Sequence, residues 1–151
     1  MGIRQIIELV NGMNKTNPNE DCSECAERVA SLLRGNSKII TIVAYNKDND
    51  RLCEFKTSFS SQLWKYHVVV MFAENGTEYI VDITESEKVR TLADYMDNLA
   101  NVNCKDVLNG VIFALIDGDV GEKALSSVYF KSLRQMAILG THPKGRIDVR
   151  L

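Results

Sequence analysis

No hydrophobic run in this sequence approaches the roughly 18 apolar residues of a membrane-spanning helix, so no stretch reads as a span. There is no basic block either. Eighteen Lys and Arg stand against 20 Asp and Glu, for a net charge of −2, and nothing gives an electrostatic footprint for nucleic acid or an anionic membrane. The first apolar stretch is broken by Arg4, Gln5 and Glu8, unlike the core of a signal peptide. Met1-Gly2 lacks the Ser or Thr that N-myristoylation needs at position 6, which is Ile6. Synthesis in the cytoplasm without a cleaved signal is therefore expected, and a dedicated secretion route would leave no mark. Cysteine is sparse: Cys22, Cys25, Cys53 and Cys104 make no disulfide framework and fit a reducing compartment. With no second Cys-x-x-Cys, a zinc site is not expected, and no cofactor is implied. No apolar strand immediately precedes Cys22, as a thioredoxin-like redox pair would require. Repeats, low-complexity tracts and interdomain linkers are lacking too.

What is present fits one domain over residues 1–151. The length is ample for a core, and 45% hydrophobic with 25% charged residues is ordinary for a globular chain. Ile3, Ile6, Ile7 and Val10 recur at i, i+3, i+4 and i+7, predicting a short amphipathic helix over 3–11 that ends at Asn11-Gly12. A loop rich in Asn, Gly and Pro follows over 12–20. Asp21, with Glu24 three residues on, marks a second helix start in the manner of a capping box. Cys22, Cys25, Ala26, Val29, Ala30 and Leu33 then form one apolar stripe, stopped by Gly35.

Residues 38–45 and 51–56 predict two strands around a polar turn at 46–50. A Ser-rich loop over 57–62 leads to Trp64, expected to be core or a lip over a site. Residues 86–98 carry Val89, Leu92, Ala93 and Met96, followed by Leu99, at helical spacing, which makes 85–88 a solvated helix start. The apolar run 107–116 fits a strand or a buried helix equally. Residues 122–139 predict an amphipathic helix, His142 an exposed loop position, and 147–151 a last short strand.

The chain is organised around residues 67–84, where two β-rich runs flank Asn75-Gly76. Asn-Gly tolerates the positive φ of a type I′ turn and is the strongest short hairpin signal. A two-residue turn sets Glu74 opposite Thr77, so opposed residue numbers sum to 151. Val69 then faces Asp82 and His67 faces Thr84. His67 and Asp82 share one face as diagonal neighbours, within imidazole reach. A slip of one residue would separate them.

Cys22, at a predicted helix start, supplies a nucleophile for this pair. A cysteine attacks carbonyls as thiolate. The unpaired N–H groups and dipole of a helix N-terminus favour that anion, an adjacent imidazole handles the proton, and an acid on the far ring nitrogen fixes the tautomer. The plainer alternatives are that Cys22 and Cys25 are small core residues or a redox pair, and that His67 is a satisfied structural histidine.

The residues Cys22-Ser-Glu-Cys-Ala26, Leu32-Leu33-Arg34, His67 opening a strand, and Val81-Asp82-Ile83-Thr84 resemble the transglutaminase-like and papain-like thiol superfamily. Ile83 stands where many relatives have Pro. Cys-x-x-Cys-Ala on the first helix is similar to the papain-fold toxins of bacterial polymorphic-toxin and effector systems. The likeness covers residues 20–84. It implies an α+β fold with the cysteine-bearing helix packed on an antiparallel sheet and further helices after Thr84. It also implies Cys22 as nucleophile, His67 as general base and acid, and Asp82 as the orienting acid. Cys25 is the rival nucleophile, since papain enzymes react through the second cysteine of such a motif, and Asn19 lies six positions before it. Ala26 and Arg34 match the spacing only when counted from Cys22. The backbone N–H of Cys22 with Asn17 or Asn19 would form the oxyanion hole.

The expected activity is acyl transfer at an amide through a Cys22 thioester: deamidation of glutamine on a partner protein first, as a toxin or effector, with a peptidase or transglutaminase of the same fold as alternatives. A cognate immunity or inhibitor protein would be a further partner. The competing class is a catalytically inactive binding module on the same scaffold.

Overall fold

The computed structural model describes residues 2–14, 21–33, 35–46, 51–57, 63–103, 111–120 and 146–149. Within them the fold is α+β, with three helices and a seven-stranded sheet. The helix expected over 122–139, His142, Cys104, Asn17, Asn19 and Arg34 lie outside the described residues. None of the described helices is long and apolar enough to cross a membrane.

β1, Ser37–Asn46, is the spine of the sheet, a run rich in the β-branched residues that pack well on a pleated surface. One edge pairs with β6, Val111–Asp117, from Ile40↔Asp117 to Asn46↔Val111. Two strands share the other edge. β3, His67–Glu74, takes the first part, ending at Ile42↔His67, and β2, Arg51–Cys53, takes the rest from Ala44↔Cys53. His67 therefore sits where one neighbour of β1 gives way to the next. β4, Thr77–Val81, and β5, Val89–Thr91, extend the sheet beyond β3. β7, Arg146–Val149, lies parallel to β6, so the sheet is not wholly antiparallel as expected. Of the ambiguous run 107–116, residues 111–116 lie in strand β6, and 107–110 fall outside the described residues.

Alternation along the strands divides the interior into two cores. Val68, Val70 and Phe72 of β3 face α1, Ile3–Asn11, and α2, Cys22–Leu33, packing with Ile6, Val10, Cys25, Ala26 and Val29. Val69 and Met71 face the other way, with Ile40, Ile42 and Ile80, against Leu92, Tyr95, Met96 and Leu99 of α3, Leu92–Asn103. Each such aliphatic side chain taken from water contributes about 1.5–3 kcal/mol. Trp64 is half-buried and packs against both cores.

Three expectations need correction. Residues 54–56 are not strand. β2 stops at Cys53, and Phe55 makes one isolated bridge to Trp64. The hairpin ladder has the expected register, from Glu74↔Thr77 to Val70↔Val81, but stops there, so Val69–Asp82 and His67–Thr84 do not pair along the backbone. Asp82 turns the chain away instead: its Oδ1 accepts the Thr84 N–H at 3.0 Å, and its own N–H donates to Lys88 O at 2.8 Å. Finally, 85–88 is not a solvated helix start. Glu85 is buried, Val89 opens β5, and α3 begins at Leu92 with Thr91 Oγ1 accepting the Asp94 N–H at 3.1 Å.

Candidate active site

The sequence explains why α2 starts where it does. Asp21 Oδ1 accepts the Glu24 N–H at 2.8 Å and Asp21 O accepts the Cys25 N–H at 3.1 Å, so Asp21 is the cap and Cys22 the first helical residue. The Cys22 N–H belongs to the set that a helix leaves without an intrahelical partner. The Cys22 side chain is 5% exposed, and neither Cys22 nor Cys25 is in a disulfide.

His67 opens β3 and is 0% exposed. Its Nε2–H donates to Asp82 Oδ2 at 2.7 Å, the diagonal contact that the hairpin register implied. Nδ1 is buried without a hydrogen-bond partner. Burial alone would lower the imidazole's pKa. The charge and hydrogen bond of Asp82, with the neighbouring Cys22 thiol adding to them, outweigh it and raise the pKa to about 10. The thiol that acts on the imidazole is thus that of Cys22. With Nε2 committed to Asp82, Nδ1 is the ring nitrogen left to face it.

Asp82 is 4% exposed and well supplied with donors. Its Oδ2 also accepts the Tyr95 hydroxyl at 2.9 Å, and its Oδ1 accepts the Thr84 hydroxyl at 2.5 Å besides the Thr84 N–H. Burial raises the carboxyl's pKa, but the His67 charge and bond, then the Thr84 and Tyr95 bonds, bring it below its ordinary value. Trp64 lies with its ring centroid 4.4 Å from that of His67, and its indole N–H is buried without an acceptor.

The structure therefore brings Cys22, His67, Asp82 and Trp64 together. Cys25 is buried one turn further along the same helix face. Sequence reasoning did not find Tyr95 and Thr84. Thr84 carried a readable signal, because Asp-x-Thr is a pattern in which a carboxylate accepts from the residue two positions on. Tyr95 carried none, since its contact with Asp82 depends on how α3 crosses the sheet.

Two cavities lie apart from this set: a shallow groove of about 840 Å³ between α1 and α2, and a smaller one of about 280 Å³ beside Cys53 and Lys65. No group of three or more His, Cys, Asp or Glu among the described residues could hold a metal ion. No protein-family model matches the chain, and comparison with curated proteins gives no match either.

Proposed function

We propose that this protein is a thiol enzyme of papain-like or transglutaminase-like architecture that hydrolyses the side-chain amide of glutamine on a partner protein. One observation carries the reading: a buried imidazole tied to a carboxylate through Nε2, with Nδ1 unpartnered, under the influence of a cysteine that opens a helix.

The raised pKa makes His67 cationic at neutral pH, so its first act is as an acid. The Cys22 thiolate attacks the amide carbon, and the carbonyl electrons move to oxygen. The C–N bond breaks as that pair returns, nitrogen takes the Nδ1 proton, and ammonia leaves a thioester. Water then attacks the thioester, giving its proton to Nδ1. The C–S bond breaks, leaving a glutamic acid side chain, with Cys22 released and Nδ1 protonated again. Asp82 keeps Nδ1 pointed at the reacting atoms and stabilises the cation throughout. A primary amine in place of water gives transglutamination, and a main-chain amide gives peptidase activity.

The second reading, a binding module, draws on the burial of Cys22 and His67. Ammonia release from casein glutamines, with mass spectrometry of the product, separates the readings. Amide-to-acid conversion that stops in Cys22→Ala supports the deamidase. Main-chain cleavage, or amine incorporation, reassigns the reaction within the fold. Equal release by wild type and Cys22→Ala, or none, leaves the binding module.

A further inference from the structure

The carboxylate oxygen that holds His67 is shared. Asp82 Oδ2 accepts both His67 Nε2–H, at 2.7 Å, and the Tyr95 hydroxyl, at 2.9 Å, while Oδ1 takes both Thr84 donors. Four donors use about the whole capacity of one carboxylate. Tyr95 is 3% exposed and comes from α3, on the sheet face opposite α2. Each donor draws charge from the oxygen it binds, so a hydroxyl on Oδ2 competes with the imidazolium for the same charge.

We propose that Tyr95 is a positioning residue that weakens the hold of Asp82 on the His67 cation, so that Nδ1 can give up and retake its proton during acyl transfer. This rests on the thiol-enzyme reading above. In that reading Nδ1 must release a proton to ammonia and then accept one from water, and proton transfer is most effective when the group's pKa lies near the working pH. A buried imidazolium facing an unshared carboxylate would hold its proton too firmly. The phenol itself remains a donor, because burial and the Asp82 charge push its pKa well above the ordinary value. The titratable and charged groups that bear on this set are Cys22 from α2, Asp82 after β4, Tyr95 from α3, and Glu85 and Arg90, which act on the Tyr95 hydroxyl with opposite signs.

The test is an NMR titration of the His67 ring. The chain has two histidines, so His142→Gln leaves one imidazole signal. In that background Tyr95→Phe should raise the His67 pKa by about 0.5 or more and carry the alkaline limb of Cys22 alkylation upward with it. Replacing tyrosine by 3-fluorotyrosine, a stronger donor that keeps the shape, should lower the His67 pKa, and this measurement stands if Tyr95→Phe does not fold. An unchanged or lowered pKa in folded Tyr95→Phe, or an unchanged or raised one with 3-fluorotyrosine, overturns the proposal. The titration reads the Tyr95–Asp82–His67 contacts whether or not Cys22 reacts. An inert Cys22 with a shifted imidazole removes the enzyme reading, whereas a reactive Cys22 with an unshifted imidazole removes this inference alone.

Discussion

α2 and α3 are matched in construction and opposed in position. Each has 12 residues, and each starts behind a polar side chain, Asp21 or Thr91, that accepts the N–H three residues on. They cover opposite faces of the sheet, and each sends one group from its first turn to the His67–Asp82 pair: Cys22 on one side, Tyr95 on the other. They differ in what arrives. Cys22 approaches the imidazole side and brings a thiol, while Tyr95 approaches the carboxylate side and brings a donor that stays protonated. The pair at the end of β3 is therefore held from both faces. A sheet covered on both sides can build a polar site at the end of a buried strand, where the ladder to one neighbour, here β4, has already stopped.

The largest effect should come from breaking the pair itself. Asp82→Ala strands a buried imidazole and should cost about 3–5 kcal/mol in urea unfolding. A cost below about 1 kcal/mol would mean that His67 is satisfied by something other than Asp82. The two cores come next. Leu99→Ala under α3 should cost about 2–5 kcal/mol, and Leu33→Ala, at the less buried end of α2, should fall at the bottom of that range. Equal losses would erase the packing difference between the helix positions. The caps are the finest probe. Asp21→Ala and Thr91→Ala should each cost about 1 kcal/mol, but only Asp21→Ala should also slow Cys22 alkylation, because only that cap sets the start of the thiol's helix. Equal slowing by both would indicate a global loosening.

The pair also imposes a pH signature. His67 has a folded pKa of about 10 against 6.5 ordinarily, so its stabilisation is complete below about 6.5 and is lost as pH rises through 10. The Asp82 pKa is lowered from 3.8, so its stabilisation is present above 3.8 and is lost as pH falls below that value. Thermal stability should therefore peak between roughly pH 4 and 6.5. In His67→Ala the decline on the alkaline side should disappear.

The same two helices mark what was legible in the sequence. The start of α2 was readable because the Asp21–Glu24 cap and the apolar stripe agree. The start of α3 was misread because Val89 continues the helical spacing upstream, yet Val89 pairs with Val81 in β5. The Thr91-x-x-Asp94 cap was present in the sequence, and spacing alone overrode it. The Asn75-Gly76 turn fixed the hairpin register from a two-residue signal, with both residues at positive φ, and so placed His67 by Asp82. Where the ladder stops could not be read that way. It depends on Asp82 turning onto Thr84 and Lys88, which competes with a strand partner. The Tyr95 contact is tertiary and leaves no trace in spacing.

The central claim is that Cys22 and His67 act as one unit. The most direct measurement is the rate of iodoacetamide alkylation across pH, followed by intact mass under reductant, for wild type, Cys22→Ala, Cys25→Ala and His67→Ala. The account predicts fast single labelling well below pH ~8, absent in Cys22→Ala, retained in Cys25→Ala and slowed in His67→Ala. Labelling that is slow in the native protein, or that vanishes only in Cys25→Ala, would contradict it.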